Sequence, residues 1–131
     1  MRYLIDTHVW IWMMDDPARL PKKICTVLKK EISPLAISMM SVWEIAKLVQ
    51  KNRMDLNMPL ERWIYNALDS DLICKVNLDE RVLIESTTLP GEFHNDPADQ
   101  IIVATARVHN LTLITADRKI LDYRHVKTLW D

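Results

Sequence analysis

Short apolar runs alternate with longer helix-like segments along this chain, and that alternation limits the folds open to it. The strand-like runs are residues 2–5, 35–38, 72–76, 111–114 and 126–129. The segments between them carry apolar residues at helical spacing, which is typical of βαβ units. The pattern predicts an α/β fold with a mostly parallel sheet of about five strands. With 131 residues, the chain is long enough for one domain with its own core, spanning 1–131.

Acidic residues stand at the points where the predicted strands give way to helices: Asp6, Glu44, Asp99 and Asp117. In an open parallel sheet such junctions lie along one edge, where α/β proteins bind their ligands. Carboxylates gathered there repel one another, and a hard cation such as Mg²⁺ or Mn²⁺ relieves the repulsion through oxygen ligands. The sequence therefore predicts a metal-dependent enzyme that acts on phosphates.

Each of these acids also has a purely structural interpretation. Asp6 and Asp117 are good N-caps for the helices that follow them. The segment from Ser41 to Glu44 fits the S-x-x-E capping box, in which Ser41 opens the helix. Each position by itself leaves open whether the acid caps a helix or belongs to a functional site. Only the occurrence of an acid at all four junctions favours a site.

The fourth junction, around residues 96–99, shows the same ambiguity. Asp96 is the natural N-cap before Pro97, and Asp99 sits where a negative charge also favours the helix dipole. We assign Asp96 mainly to capping and Asp99 to the site. Thr115 is placed to hydrogen-bond a neighbouring carboxylate or water. The residues expected to support the acids are Thr7, Ser41, Asp96 and Thr115.

Composition excludes several other classes. A single glycine rules out a glycine-rich phosphate loop. No apolar run approaches the roughly 20 residues of a membrane span. The four histidines lack zinc-ligand spacing. His94, in a loop near the predicted site, is expected either in solvent or in contact with substrate. Cys25 and Cys74 are interpreted as reduced thiols, which points to the cytoplasm.

Positive charge gathers near two of the acids although the net charge is −1. Lys47, Lys51 and Arg53 follow Glu44, and Arg118 and Lys119 follow Asp117; a further lysine cluster is Lys22, Lys23, Lys29 and Lys30. These cations are placed to meet a phosphate backbone. The alternative is that they form solvated helix faces.

Aromatic and methionine side chains make the first helix apolar on more than one side. Trp10, Trp12 and Met13 belong to it, and Trp43 and Trp63 follow on later helices. One side must face the sheet. The other side is expected either to meet a partner or to lie in a deeply buried helix.

Taken together, the motifs resemble the PIN-domain family, and within it the VapC-type toxins of toxin–antitoxin pairs. The resemblance covers nearly the whole chain. It rests on the motifs Leu-Ile-Asp-Thr-His at 4–8, Ser-Val-Trp-Glu-Ile at 41–45, the run from 94 to 106, and Leu-Ile-Thr-Ala-Asp at 113–117. One departure is Gln100, which stands where many relatives carry arginine.

The resemblance implies a three-layer α/β/α sandwich and a Mg²⁺- or Mn²⁺-dependent endoribonuclease. It implies that Asp6, Glu44, Asp99 and Asp117 are the catalytic acids, with Asp6 and Asp99 holding the ion. It also implies an RNA substrate, a cognate antitoxin and a homodimer. Two alternatives stay open: a phosphotransfer or phosphatase domain of another α/β family, and a non-catalytic PIN-like RNA-binding or scaffold module.

Overall fold

Five parallel strands form one sheet at the centre of the computed structural model, which describes all 131 residues. The strands are β1 (Tyr3–Ile5), β2 (Leu35–Ser38), β3 (Ile73–Val76), β4 (Thr112–Ile114) and β5 (Thr128–Leu129). Their spatial order is β3-β2-β1-β4-β5, and every neighbouring pair is parallel. The predicted α/β class and the five-strand sheet are confirmed.

Helices connect the strands and cover both faces of the sheet. They are α1 (Thr7–Asp15), α2 (Lys22–Lys30), α3 (Met39–Gln50), α4 (Leu60–Leu68), α5 (Glu80–Thr87), α6 (Pro97–Val108) and α7 (Arg118–Leu121). A short 3₁₀ turn, Pro17–Arg19, joins α1 to α2. None of these helices has both the length and the apolar character that crossing a membrane requires.

Side chains that point alternately to the two faces of the sheet divide the core into two layers. Ile5 and Ile114 face one cluster, which is built with α1, α2, α3 and α4. Leu4 and Leu113 face the opposite cluster, which is built mainly with α6 and α7. Because successive strand residues point to opposite faces, apolar residues at consecutive positions produce a sheet buried on both sides. This is the three-layer sandwich that the family resemblance implied.

The beginning of α3 differs from the sequence prediction. The helix starts at Met39, and Ser38 is its N-cap, accepting a hydrogen bond from the Met40 amide at 3.0 Å. Ser41 therefore lies inside the helix, and the capping-box interpretation of Ser41 and Glu44 is wrong. The last residue of β2 caps the helix directly, so no loop separates strand from helix.

The tryptophans separate into buried and exposed groups. Trp10 is 0% exposed and Trp63 is 4% exposed, and their rings pack edge to face with centroids 5.4 Å apart. Both rings are buried in the core, so a partner role for Trp10 or Trp63 is ruled out and the buried alternative holds for Trp10. Trp12 and Met13 are half-buried, and Trp43 is 52% exposed.

Candidate active site

The four acids predicted from the sequence line one cleft of about 420 Å³ at the carboxyl edge of the sheet. Asp6 directly follows β1, and Asp117 lies three residues beyond β4. Glu44 projects from the second turn of α3 and Asp99 from the first turn of α6. The rest of the lining is His8, Trp12, Asp96 and Ala116. The prediction that the fold gathers these acids is confirmed.

Asp6 is the most enclosed of the acids, at 8% exposure, and both of its oxygens are engaged. Its Oδ1 accepts from the Thr7 amide at 2.8 Å, and its Oδ2 accepts from the Thr115 hydroxyl at 2.6 Å. The same Thr115 oxygen accepts from the amide of Asp117 at 3.0 Å. Thr115 thus ties the carboxylate after β1 to the backbone after β4.

A second set of hydrogen bonds joins the start of α1 to α3. The buried Thr7 hydroxyl donates to Glu44 Oε1 at 2.6 Å and lies 2.8 Å from the Ser41 hydroxyl. Ser41 is itself fully buried, so its hydroxyl needs such a partner. Thr7 and Ser41 therefore orient Glu44 from behind the cleft, consistent with the supporting position predicted for them.

The start of α6 carries the remaining acids. Asp96 is the N-cap and accepts from the Asp99 amide at 3.0 Å. His94 is half-buried beside the acids rather than free in solvent, and its Nε2 lies 2.9 Å from Asp99 Oδ2. Gln100, the departure from the family pattern, donates from Nε2 to the His94 carbonyl at 3.0 Å and so holds this loop against the helix.

Capping and cleft formation turn out to be compatible at the other junctions. Asp6 is the N-cap of α1, and Asp117 is the N-cap of α7, where it accepts from the Lys119 amide at 2.8 Å. A carboxylate has two oxygens with about four acceptor positions. One oxygen can satisfy the helix amide while the other faces the cleft.

Burial makes ionisation of these acids unfavourable. Desolvation is the main cause that raises the pKa of Asp6, against the lowering effect of its bonds from Thr115 and Thr7. Desolvation, added to repulsion from Asp6, Asp96 and Asp117, raises the pKa of Glu44 to about 7. Desolvation and the neighbouring acids also raise the pKa of Asp99 to about 7. When these carboxylates are ionised, no lysine or arginine in the cleft lining neutralises their charge.

The donors in the cleft fit a hard divalent cation. Five carboxylates line it, with no lysine or arginine among the lining residues, so a bound cation would relieve their repulsion. Mg²⁺ commonly keeps several waters and binds through one or two carboxylates, so this cleft would not need a full set of protein ligands to hold it.

Two lining residues were not assigned to the site from the sequence. His8 lies one residue beyond Thr7, in the first turn of α1, and its charge favours ionisation of Asp6. Trp12, predicted only as partner surface, also lines the cleft, and the Arg19 guanidinium lies 4.5 Å from its ring centroid. The spacing from His8 to Trp12 is four residues, so their shared helix face was readable from the sequence.

Residues 3–126 match the PIN domain family. The chain belongs to this family. The resemblance drawn from the sequence motifs is therefore confirmed, and the acidic cleft lies within the matched PIN domain.

Known proteins similar to this PIN domain include toxin components. The chain is 31% identical to Ribonuclease VapC22 of Mycobacterium tuberculosis over 129 residues, which is 97% of each chain. A chain in the DNA-bound VapBC2 structure from Rickettsia felis has a TM-score of 0.72 at 17% identity, with all of both chains covered. A chain in the DNA-bound VapBC structure from Salmonella typhimurium also has a TM-score of 0.72, at 16% identity, covering 98% and 97%. At these identities the structural matches demonstrate the shared fold.

Proposed function

We propose that this PIN domain is a divalent-metal-dependent endoribonuclease and the toxin of a toxin–antitoxin pair. The observation that carries the proposal is the convergence of Asp6, Glu44, Asp99 and Asp117 on one cleft without a neutralising lysine or arginine. The ribonuclease relative at 31% identity supports RNA as the substrate.

In this proposal Asp6 and Asp99 hold Mg²⁺ or Mn²⁺, and Glu44 and Asp117 orient water around it. When bound, such an ion supplies Lewis acidity, which acidifies water and offsets negative charge on the phosphate and the leaving oxygen. In-line attack by water on a phosphodiester needs no covalent nucleophile, so direct hydrolysis is the reaction that these acids and the ion would support.

The supporting residues would act by fixing the acids before substrate arrives. Thr115 and the Thr7 amide hold both oxygens of Asp6, and the Thr7 hydroxyl holds Glu44. A carboxylate held in place loses little freedom when it binds an ion or orients a water molecule. His94, against Asp99, is placed to influence how that carboxylate turns toward the cleft.

The proposal includes an antitoxin and a second copy of the chain as protein partners, and action in the cytoplasm on cellular RNA. The solved VapBC structures of similar fold support the antitoxin. Large apolar side chains left in water support further interfaces, among them Met14 at 45% and Ile84 at 64% exposure. Of the residues predicted for a partner surface, Trp12, Met13 and Trp43 reach solvent, whereas Trp10 is buried.

The test is RNA cleavage by the purified protein, free of any antitoxin, with Mn²⁺, Mg²⁺ or EDTA. We expect cutting that needs the ion and that is lost in Asp6→Asn and Asp99→Asn. Asp71→Asn, at an exposed turn before β3, is the matched control and should cut normally.

Cutting at the wild-type rate by folded Asp6→Asn or Asp99→Asn would refute the site assignment. RNA binding without cutting, together with no ion binding by calorimetry, would favour the non-catalytic RNA-binding module instead.

A further inference from the structure

A second cleft, of about 510 Å³, adjoins the acidic one and differs from it in charge. The two share His8, Glu44 and Asp96 as lining residues. Beyond this shared edge the second cleft is lined by Trp43, Lys47, Lys51 and Arg53. We call these four residues the basic cleft. It is continuous with the site where a phosphodiester would be cut.

Helical spacing aligns the basic cleft along α3. Trp43, Lys47 and Lys51 are four residues apart, so they lie on one face of the helix and its C-terminal cap. From the first to the last of them the helix axis rises about 12 Å, at about 1.5 Å per residue. The Lys47 ammonium lies 5.5 Å from the Trp43 ring centroid, and that ring is 52% exposed.

The cations of the basic cleft have no acidic partner within the chain. The salt bridges that lysine and arginine make in this protein are Arg2–Glu31 and Arg107–Glu85. Lys47 makes one hydrogen bond, to the neutral Gln50 side chain at 3.1 Å. Three unpaired positive charges beside an exposed aromatic face are the combination that single-strand nucleic-acid binders use, with cations for phosphates and rings for bases.

We propose that the basic cleft binds the single-stranded RNA segment flanking the cleaved bond, with one unpaired base stacked on Trp43 and the backbone following Lys47, Lys51 and Arg53. The inference rests on the proposed ribonuclease function and assigns the residues that would hold the RNA strand beside the cleaved bond. A base inside a duplex cannot present its face to a side chain, whereas a base in a loop or single strand can. The exposed Trp43 ring beside the three cations favours RNA here, because a single strand supplies both a base for the ring and phosphates for the cations.

The experiment measures RNA binding separately from cleavage. Fluorescence anisotropy follows a labelled, mixed-sequence single-stranded RNA of about twelve nucleotides, within the usual site sizes of single-strand binders. All measurements are made in EDTA over a range of salt concentrations. The acids of the adjoining cleft repel RNA to the same extent in every variant, so ratios of affinity report the basic cleft.

Trp43→Ala should weaken binding about tenfold, because stacking of one base contributes about that much. Trp43→Phe, which keeps an aromatic face, should restore most of the affinity. The control is Tyr65→Ala, which removes a 70% exposed ring on α4 and should leave binding unchanged. A duplex of the same sequence should be insensitive to Trp43→Ala.

The double variant Lys47→Gln/Lys51→Gln tests the phosphate contacts. Removing two contacts should reduce the slope of log affinity against log salt by about 1.4, at about 0.7 per phosphate on a single strand. The control is Lys29→Gln/Lys30→Gln, at the end of α2, because the chain goes from there to the amino edge of the sheet, away from both clefts. That pair should leave the slope unchanged.

Unchanged affinity in Trp43→Ala, or no binding by the wild type at low salt, would overturn the inference. Conversion of a dimer to a monomer by Trp43→Ala, with RNA binding intact, would assign this face to a second copy and also overturn it. The two proposals fail separately. Binding through Trp43 without any cleavage would refute only the nuclease, and normal cleavage with binding independent of Trp43 would refute only the basic cleft.

Discussion

Glu44→Gln should stabilise the metal-free protein at alkaline pH. The carboxylate is desolvated and faces other acids, and together these raise its pKa to about 7. Its Oε1 accepts from the Thr7 hydroxyl at 2.6 Å, a bond that an amide oxygen can also accept. The substitution therefore removes the charge while keeping the hydrogen bond and the shape.

The sign and size of the effect follow from proton linkage. The folded protein holds the Glu44 proton at a pH where the unfolded chain releases it, so stability falls as pH rises from about 4.5 to about 7. At about 1.4 kcal/mol per tenfold change in proton affinity, this amounts to no more than about 3.4 kcal/mol. Water reaches part of the side chain, so we expect about 1–2 kcal/mol, or about 3–7 °C in Tm for a domain of this size.

Thermal unfolding in EDTA at about pH 5 and about pH 8 measures the effect. Glu44→Gln should melt higher than wild type at the alkaline pH and within error of it at the acidic pH. Glu92→Gln changes an exposed loop glutamate and is the matched control, with no change expected at either pH. Equal pH dependence of wild type and Glu44→Gln would refute the claim that an uncompensated carboxylate destabilises this cleft.

Three further outcomes are expected. Thr115→Val should lower the free energy of unfolding in urea by about 2–3 kcal/mol, because it removes a hydrogen bond to the buried Asp6 carboxylate. The control Thr105→Val loses only a hydrogen bond to a helical carbonyl and should cost less than about 1 kcal/mol, so equal losses would contradict the support of Asp6 by Thr115. Trp10→Ala should lower the free energy of unfolding by about 3–5 kcal/mol through loss of core packing, whereas Trp43→Ala should leave it nearly unchanged. A larger loss in Trp43→Ala than in Trp10→Ala would be inconsistent with the burial of the two rings. Mn²⁺ at about a hundredfold excess over its Kd should stabilise the protein by about 2.7 kcal/mol at alkaline pH, and Asp6→Asn should lose this stabilisation. If Asp6→Asn were stabilised to the same extent, the ion would bind elsewhere.

Local sequence patterns were sufficient to predict the sheet and the junction acids. Strand residues such as Leu4 and Ile5 are apolar at consecutive positions, which signals a sheet covered on both faces. The cap preferences of Asp96 and Asp117 concern neighbours two or three residues away, so they too were readable from the sequence. The same local reasoning misplaced the start of α3, because Ser38 and Ser41 are both acceptable caps and only packing of the preceding strand selects the first.

The sequence by itself determined the element order, the parallel α/β class and the set of acids that face one edge of the sheet. The tertiary structure decided which supporting residue is paired with which acid, and which aromatic rings reach solvent. Thr115 lies 109 residues from Asp6, and Thr7 lies 37 residues from Glu44, so no local pattern links either pair. Trp10 and Trp43 are both tryptophans on helices that border the cleft, yet one packs on Trp63 in the core and the other is exposed. Periodicity indicates which face of a helix is apolar, whereas burial depends on what the rest of the chain places against that face.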